Sequence, residues 1–359
     1  MSGIGFTIEE IQVPATIGGP GWDVFEEYVT VRNAVESYAL GTDLLEMPLP
    51  DVWSEYRDNP HRVRRHFAVW QDGVIIGRGI VTSRPQSPES GVHLMTDILP
   101  EHRRAGLGSA LLERVEQVAL DTGASVLKVV LPHRAAAGGE RVAAPTGFGD
   151  LPADDDGVRF LSSHGYALEQ ISRISLLDTD GLADRIRPLR DAAVAAAGDA
   201  YRVVSWIGAT PDRWVGDLAE MRTRMSTDAP SGGLVTPVDE WDAERVREND
   251  ARIAESGRTV LTAAVEHVAS GTLVGYSELL VSDGLSVATQ EDTLILRDHR
   301  GRRLGTLVKI ATADLLLEHA PQLEAIVTWN AEENRPMLDV NEAMGFRAIG
   351  YEGAWQKRV

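Results

Sequence analysis

The sequence has no cysteine among its 359 residues. Disulfide bonds, cysteine-zinc sites and thiol nucleophiles are therefore excluded. The chain also lacks an apolar run of the roughly 18 residues that a membrane-spanning helix needs, and its start, MSGIGFTIEE, lacks the basic and apolar regions of a signal peptide. These absences favour a cytoplasmic protein with no membrane segment.

The chain also has fewer basic than acidic residues: 35 lysines and arginines against 54 aspartates and glutamates give a formal net charge of −19. A broad nucleic-acid-binding surface normally needs a basic face, so a nucleic-acid partner is not expected. An acidic balance suits a small or cationic substrate, although it also serves solubility alone. The composition, 43% hydrophobic and 25% charged, is ordinary for a globular protein, and the length suggests two domains.

Several catalytic and nucleotide-binding motifs are missing. The chain has no Gly-x-x-x-x-Gly-Lys-Ser/Thr loop, no three-glycine dinucleotide fingerprint, no His-Glu-x-x-His and no Gly-x-Ser-x-Gly. P-loop, metalloprotease and serine-hydrolase chemistry are therefore not expected, and no metal site is predicted.

What the chain does contain is an internal duplication. Shifted by 197 positions, HRRAGLG at 102–108 aligns with HRGRRLG at 299–305. Two strand-like runs joined by a short turn precede each heptapeptide, and an amphipathic helix pattern follows it. Each half then continues with a strand, a helix ending in a Gly-aromatic pair, and a last strand.

This order mixes a hairpin with a strand-helix-strand unit, so the fold class is α/β (α+β). We expect two tandem domains, 1–178 and 179–359, each a mixed, mostly antiparallel sheet flanked by helices. The alanine-rich stretch within 178–200 is either a connecting helix or the start of the second domain. A long loop is predicted between 133 and 157, and the front of the second half carries three tryptophans that either line a pocket or join the core, Trp206, Trp214 and Trp241.

The arginines at the duplicated turn need an explanation. A helix N-terminus has unpaired N–H groups and partial positive charge, so clustered arginines are unfavourable there unless an anion is bound. Glycine lets a phosphate approach the backbone amides and permits a tight strand-to-helix turn. Finding the pattern twice predicts a phosphate cradle rather than a solvated turn.

At these residues the sequence resembles the GNAT N-acetyltransferase superfamily. The run 99–108, LPEHRRAGLG, is similar to its acetyl-CoA motif Arg/Gln-x-x-Gly-x-Gly/Ala, with Arg103, Gly106 and Gly108 matching. The second copy matches at Arg300 and Gly305 but has Arg303 in place of the first glycine. The stretch TWNAEENRPMLDVNEAMGF resembles the end of the family's fifth strand and its following helix, and the tandem arrangement is similar to that of mycothiol-synthase-like acetyltransferases.

The resemblance implies acetyl-CoA as cofactor, with its pantetheine arm between splayed fourth and fifth strands and its pyrophosphate at the turn. It implies these cofactor-binding residues in the second half: Leu294, Ile295, Leu296, Arg300, Gly301, Arg302, Arg303, Leu304, Gly305, Thr306, Asn330 and Asn334. In the first half it implies Ile98, Leu99, Arg103, Arg104, Ala105, Gly106, Leu107, Gly108 and Ser109.

Acetyl transfer to an amine needs a base, because alkylamines are protonated at neutral pH. The resemblance implies a carboxylate on the fourth strand, and the candidates are Glu291 first and Asp292 second; an exposed carboxylate at a strand start is the plainer alternative. Family members often protonate the thiolate with a tyrosine four residues before the Gly-aromatic pair, where this chain has Asn341 and Leu161. Tyr351 on the final strand, or water, is the substitute candidate, and a structural role is the plainer alternative for Tyr351.

The sequence thus predicts an acetyl-CoA-dependent N-acetyltransferase acting on an amine of a small molecule, with its chemistry in the C-terminal domain. The acidic balance favours a cationic amine. The alternative is a non-catalytic acyl-CoA-binding sensor or scaffold that keeps a degenerate acetyltransferase fold. A tandem chain can satisfy its own pairing, so a monomer or a homodimer is expected.

Overall fold

The computed structural model describes residues 5–57, 59–85, 91–135 and 138–359, which divide into two compact units. The first unit contains the described chain up to Ser172 together with Ser231–Pro237 and Gly350–Val359. The second contains Arg173–Pro230 and Val238–Ile349. The boundary after Ser172 lies close to the predicted domain boundary after residue 178. The prediction of two continuous domains does not include the two later segments, Ser231–Pro237 and Gly350–Val359, that belong to the first unit.

The described strands are, in chain order, β1 Thr7–Ile11, β2 Val63–Gln71, β3 Val74–Ser83, β4 Val92–Ile98, β5 Val126–Arg134, β6 Arg141–Ala143, β7 Asp150–Pro152, β8 Ala167–Asp178, β9 Tyr201–Ile207, β10 Thr259–His267, β11 Thr272–Val281, β12 Val287–Ile295, β13 Ala325–Ala331 and β14 Arg347–Arg358. The described α-helices are α1 Trp22–Leu40, α2 Leu49–Tyr56, α3 Leu107–Leu120, α4 Asp156–Ser163, α5 Leu182–Ala197, α6 Val215–Asp228, α7 Ala243–Glu255, α8 Leu304–His319 and α9 Arg335–Met344.

The sheet of the first unit has the order β1-β2-β3-β4-β5-β14. Neighbouring strands are antiparallel except β4 and β5, which are parallel. The turn between β2 and β3 contains Asp72 and Gly73, both with positive φ, as the predicted hairpin requires. The last ten residues of the chain thus complete the sheet of the first unit.

The sheet of the second unit repeats this plan in the order β13-β12-β11-β10-β9. Here β12 and β13 are parallel, and the other pairs are antiparallel. The expected mixed, mostly antiparallel sheet flanked by helices is therefore confirmed.

Each sheet buries apolar residues on both faces. In the first unit one cluster lies beneath α3 and α4, and another beneath α1 and α2. In the second unit α5, α8 and α9 cover one face, and α6 and α7 cover the other. Helix α3 shows why it forms: its buried residues recur three or four positions apart, as on one face of a helix.

Two expectations are resolved here. The alanine-rich stretch is α5, whose Leu182 and Ile186 join the core of the second unit, so it belongs to that unit, which starts at Arg173, and is not a connecting helix. The predicted long loop instead contains the paired strands β6 and β7 and the start of α4; residues 136 and 137 lie outside the described residues. None of the described helices combines the length and apolarity needed to cross a lipid bilayer.

Candidate active site

The two arginine-glycine turns share one backbone but place glycine at different points in it. Arg104 and Gly106 have φ values of 63° and 82°, and Gly301 and Arg303 have values of 81° and 55°. The offset of 197 aligns Arg104 with Gly301 and Gly106 with Arg303. Each turn therefore uses two left-handed residues, one glycine and one arginine. The replacement of glycine by Arg303 leaves the turn conformation intact.

Both turns lead into helices whose N-termini have no side-chain cap. Helix α3 follows Gly106 and helix α8 follows Arg303, and neither N-cap residue has a side chain that accepts a hydrogen bond from the first turn. The first backbone N–H groups of a helix have no partner within it and carry partial positive charge. These helix starts thus have the donors that an anionic group needs.

The second glycine of each motif is not required by the packing of the protein itself. A Cβ atom on Gly108 would meet the Phe160 ring at 3.4 Å, and one on Gly305 would meet only Ile295, at 3.9 Å. Both are ordinary van der Waals separations. There is thus room beside Gly305 at the start of α8, whereas the side of Gly108 is already in contact with Phe160.

The first arginine of each motif braces the turn. Arg103 Nε donates to Ile98 O at 3.0 Å, and Arg300 Nε donates to Ile295 O at 2.9 Å. Arg300 also pairs with Asp228, at 2.7 Å from Oδ2. In both copies the guanidinium thus ties the end of the fourth strand to the turn, a role that the motif alone does not reveal.

The remaining turn arginines differ in their contacts. Arg104 pairs with Asp156, and Arg302 donates to the carbonyl of Asp298 at 3.2 Å. Arg303 is exposed at the start of α8. Arg300 and Arg302 thus use their guanidinium groups in contacts with the turn, and Arg303 presents its side chain at the surface.

The other predicted residues around the turns lie partly in the core. Ser109 Oγ is 3.1 Å from His164 Nε2. Buried positions are Ile98, Leu107, Leu294 and Leu304; half-buried ones are Leu99, Gly108, Ile295, Leu296, Gly305 and Thr306; exposed ones are Ala105, Gly106, Ser109 and Gly301.

The fourth and fifth strands separate in both units. Pairing joins Val92–Leu94 to Leu127–Val129 in the first unit and Val287–Gln290 to Ala325–Thr328 in the second. All four strands lie within the described residues and continue past these pairs toward the turn. Each unit therefore has the slot between strands that the resemblance implies.

Strand β12 contains a bulge that β4 lacks. Ser277 pairs with Thr293 and Leu279 with Gln290, so Glu278 alone faces both Glu291 and Asp292. In the first unit the register of β3 with β4 continues without a shift from Thr82–His93 to Gly77–Ile98. The two predicted carboxylates are therefore the two residues of the bulge.

The bulge reverses which face of the sheet later side chains meet. Ala288 packs in the cluster beneath α8, whereas Leu294, six residues later, packs beneath α6 and α7. Without a bulge, residues an even number apart would share a face. Because of this reversal, Asp292 lies on the α6 and α7 side.

The environments of the two carboxylates differ. Glu291 is exposed. Asp292 Oδ2 accepts a hydrogen bond from Tyr276 Oη at 3.0 Å, and burial raises the pKa of the Asp292 carboxyl above its ordinary value. Burial likewise raises the pKa of the Tyr276 hydroxyl, which stays protonated and can donate. The carboxylate of Asp292 is thus held by the Tyr276 hydroxyl, and it binds a proton more readily than an exposed aspartate does.

A buried ion pair that sequence reasoning missed lies on the same face. Arg222 of α6 donates to both carboxylate oxygens of Glu278 at 3.1 Å, and Thr262 Oγ1 donates to Glu278 Oε1 at 3.3 Å. Burial raises the pKa of Glu278. The available signal was a glutamate within the otherwise apolar strand GYSELLV, since a buried carboxylate needs a partner.

The tryptophans of the second half pack together on this face. Trp214 is in the core, and Trp206 and Trp241 pack against it. The guanidinium carbons of Arg222 and Arg245 lie 4.8 Å and 4.1 Å from the centroid of the Trp241 ring. The core interpretation therefore holds for Trp214, while Trp241 joins a charged layer beside the bulge.

The two predicted asparagines have different positions. Asn330 lies on β13 past the last pair with β12, where its Oδ1 accepts from Asn341 Nδ2 at 2.6 Å. Asn341, the residue that replaces the family tyrosine, is thus used to hold Asn330. Asn334 precedes α9 as its N-cap residue but provides no side-chain cap.

Tyr351 is not part of the second unit. It lies in β14 beyond Gly350, pairs with His133 of β5, and packs against the first-unit core. The prediction that placed Tyr351 with Glu291 and Asp292 is therefore corrected. The hydroxyl that the structure brings to Asp292 belongs to Tyr276.

The first unit has apolar residues where the second has carboxylates. Where Glu278 faces both Glu291 and Asp292, the first unit has Ile80 paired with Met95. The nearby Asp97 is held by Arg78, whose Nε lies 2.7 Å from Asp97 Oδ2. The fourth strand of the first unit thus has no carboxylate held in the way that Asp292 is.

A tyrosine also ties together the two strand ends of the first unit. The Tyr38 ring lies 4.9 Å from the Arg103 guanidinium carbon and 5.3 Å from that of Arg134, at the ends of β4 and β5. In the second unit Ala331 stands at the position of Arg134 and cannot make this contact. The ends of the fourth and fifth strands are therefore linked through a tyrosine ring in the first unit but not in this way in the second.

Comparison with known proteins gives the following matches. Residues 31–138 match the model of the acetyltransferase (GNAT) family. No curated protein matches the chain. A solved tandem GNAT protein from the clavulanic acid biosynthesis pathway is 21% identical with a TM-score of 0.75, and the match covers 99% of this chain and 98% of that one.

A GCN5-related N-acetyltransferase from Sphaerobacter thermophilus is 13% identical with a TM-score of 0.65, and the match covers 98% of this chain and 95% of that one. At these identities the two solved structures show the fold alone. They match both units at once, so the duplicated pattern corresponds to a repeated fold.

Proposed function

We propose that this chain transfers an acetyl group from acetyl-CoA to an amine of a small molecule. The match of residues 31–138 to the GNAT acetyltransferase family and the fold shared with a tandem GNAT protein support this proposal. We place the chemistry in the second unit. The observation that carries this choice is the β12 bulge, which puts Asp292 beside the slot between β12 and β13.

The residues present fit acetyl-CoA. The uncapped start of α8, the open space at Gly305 and the exposed Arg303 would hold the pyrophosphate, and the slot would hold the pantetheine arm. Acetyl-CoA supplies a thioester whose C–S bond breaks as a C–N bond forms, while the amine gives up one proton and the departing sulfur gains one.

Asp292 is the base in this proposal, ahead of Glu291, which the sequence alone ranks first. A base works best when its pKa lies near the working pH, and burial moves the pKa of Asp292 in that direction. The Tyr276 hydroxyl orients one oxygen of the carboxylate. Glu291, exposed at the bulge, is the second candidate.

The bulge also provides a backbone donor. An extra residue in a strand leaves one N–H group out of the regular ladder. Glu291 and Asp292 both face Glu278, and we propose that the backbone N–H of Asp292 donates to an acyl oxygen that gains negative charge.

The acceptor is proposed to be a polar amine. The α6 and α7 face near Asp292 contains the Arg222–Glu278 pair and the Trp241 layer. Two carboxylates, Glu278 and Asp292, are present there with Arg222, and Arg245 of the same layer is paired with Asp239. This balance of charge favours a cationic amine.

The proposal is tested by measuring thiol release from acetyl-CoA with a panel of amines: spermidine, agmatine, glucosamine and lysine. The chain has no cysteine, so a thiol reagent such as DTNB gives no signal from the protein. We expect turnover with at least one amine, and a loss of kcat of about 100-fold or more in Asp292→Asn.

Met95→Ala, at the matching position of the first unit, is the control and should leave kcat unchanged. Acetyl-CoA binding without turnover on any amine would favour the non-catalytic alternative. Unchanged turnover in the Glu291→Ala/Asp292→Ala double variant would remove both residues as the base.

A further inference from the structure

Two buried side-chain nitrogens on the α6 and α7 face of the second unit have no hydrogen-bond partner among the described residues. They are Arg222 Nη1 and Trp206 Nε1. Arg222 is only 8% exposed. A buried donor without a partner costs free energy, and the cost is larger when the donor is charged. Both nitrogens donate and neither accepts, so an oxygen atom of a bound molecule would satisfy each of them.

The register of the sheet places these donors in one row with Asp292. Trp206 of β9 faces Thr262 of β10, and Thr262 faces Glu278 of β11, the residue opposite the bulge that contains Asp292. Directly opposed residues share a face of the sheet. Arg222 lies over this row, because its Nη2 donates to both carboxylate oxygens of Glu278. With strands about 4.8 Å apart, the row from β9 to β12 extends for about 14 Å.

The charge of Arg222 also acts on the proposed base. Burial raises the pKa of the Asp292 carboxyl, and the Tyr276 hydrogen bond and the Arg222 charge both oppose that rise. The guanidinium therefore lies close enough to Asp292 to serve one bound molecule together with it. Arg222 can hold Glu278 with Nη2 and an oxygen of the acceptor with Nη1.

The first unit has a buried arginine on the corresponding face, and its nitrogens are used differently. Arg78 Nε lies 2.7 Å from Asp97 Oδ2. Its Nη1 donates to Tyr56 Oη at 2.9 Å, and its Nη2 lies 2.9 Å from Met95 Sδ. Each nitrogen of this guanidinium thus has a neighbour from the protein itself. The unpartnered nitrogen of Arg222 is a feature of the second unit and not of buried arginines in this fold.

Charge decides which kind of oxygen fits. A carboxylate of the acceptor at Arg222 Nη1 would lie close to Glu278, which already uses Nη2, and like charges repel each other. A neutral hydroxyl accepts from the guanidinium without that repulsion, and it can donate its own proton to a carboxylate. Hydroxyl groups therefore match this face better than a further carboxylate does.

We propose that the acceptor of the second unit is an amine that carries neutral hydroxyl groups, as amino sugars and amino alcohols do. Arg222 Nη1 and Trp206 Nε1 donate to its oxygens while its amine meets Asp292. This inference rests on the proposed function and narrows its substrate class. It makes Arg222 and Trp206 specificity residues, which select the acceptor without taking part in proton transfer.

The first test compares acceptors that differ in their oxygens, with thiol release as the readout. Glucosamine is paired with cyclohexylamine, and ethanolamine with propylamine. In the parent protein kcat/KM should be about 10- to 100-fold higher for the hydroxylated member of each pair, as expected for a hydrogen bond to a charged donor. The carboxylate-bearing amine gamma-aminobutyrate should have no such advantage over propylamine.

Hydroxylated amines are also less basic than alkylamines, so the decisive quantity is the change of this ratio in a variant. Arg222→Met/Glu278→Gln removes both charges of the pair and leaves no buried charge without a partner. The ratio should fall by about tenfold or more. The matched control Arg78→Met/Asp97→Asn removes the buried pair of the first unit and should leave the ratio at its parental value.

A second readout needs no turnover. The protein is labelled with nitrogen-15 in its tryptophan side chains, and Trp206→Phe assigns the indole signal of Trp206. Glucosamine should move this NMR signal, because the indole N–H gains an acceptor, whereas cyclohexylamine should leave it in place. If the double variant at Arg222 does not fold, Trp206→Phe also replaces it in the kinetic test, where the ratio should fall by about fivefold.

The outcomes separate the two proposals. If the ratio does not fall in the variant, or if glucosamine does not move the Trp206 signal, the acceptor assignment is overturned while the proposed function stands on thiol release with other amines. If glucosamine moves the signal and no amine gives thiol release, the proposed function fails, and Arg222 and Trp206 remain donors to a hydroxylated ligand. A lowered ratio with a moved signal supports both proposals.

Discussion

The two units have the same arrangement of strands and helices around the turn, and their fourth strands, β4 and β12, differ in register. Both have a hairpin, a fourth strand that parts from the fifth, and a left-handed turn before an uncapped helix. Of the two fourth strands, β12 has a bulge and β4 does not, and the bulge of β12 contains Asp292, whose carboxylate is held by Tyr276. The comparison teaches that the turn and the slot belong to the repeated fold, whereas the bulged fourth strand with its held carboxylate is a feature of the second unit, where we propose the chemistry.

The largest effect is expected at the helix starts. Gly305→Glu fills the space before α8 with a negative side chain, and affinity for acetyl-CoA in the second unit should fall by about 1,000-fold, or about 4 kcal/mol. Glutamate is favourable in the first turn of a helix, so folding should not suffer. Calorimetry and thiol release measure the two effects.

Gly108→Glu is the matched variant in the first unit. It should leave turnover intact and remove at most a separate binding event. If Gly108→Glu abolishes turnover while Gly305→Glu does not, the assignment of chemistry to the second unit is wrong.

The next effect concerns a buried lysine that only the second unit has. Lys309 of α8 stands where the first unit has Leu112, and burial lowers the pKa of its amine to about 7. The folded pKa is depressed, so stability falls as pH decreases from about 10 toward 7. Lys309→Met should raise the free energy of unfolding by about 3 kcal/mol at pH 7 and by much less at pH 10.

Chemical denaturation at the two pH values checks this prediction. Leu112→Met, which nearly conserves volume, should change stability by less than about 1.5 kcal/mol at either pH. An equal gain in Lys309→Met at pH 7 and pH 10 would show that the amine does not titrate in this range.

The pH dependence of turnover offers a smaller effect. Asp292 accepts a proton only when it is ionised, and burial raises its pKa, so kcat should fall as pH decreases through that raised value. The slope should approach about tenfold per pH unit. In Asp292→Asn the residual activity should lose this dependence, whereas in Met95→Ala the parental profile should persist.

The smallest effect is at the exchanged glycines of the turns. A non-glycine residue in the left-handed region costs about 1–2 kcal/mol, partly offset by the lower chain entropy that it has when unfolded. Arg303→Gly and Arg104→Gly should each therefore raise stability by about 1 kcal/mol or less. Only Arg303→Gly should also weaken acetyl-CoA binding, by about tenfold, since its guanidinium is proposed to face the pyrophosphate.

Thermal unfolding and calorimetry together test this pair. If both variants weaken binding equally, the first unit contributes as much to acetyl-CoA affinity as the second. If neither does, Arg303 is a turn residue only.

The sequence by itself determined the repeat and the local elements. The hairpins, the helices after HRRAGLG and HRGRRLG and the glycine turns depend on periodicity and on residues close together in the chain, so they could be read directly. The same locality is why the motif resemblance pointed to the correct fold. It also placed Glu291 and Asp292 on the fourth strand.

Only the tertiary structure decided register and partnership. The bulge depends on how β12 aligns with β11. Tyr351 lies in the first unit because the final strand pairs with β5 of that unit. The pairing of Arg222 with Glu278 joins a helix to a strand far along the chain. These features arise from contacts between distant residues, whose free energies no local pattern records.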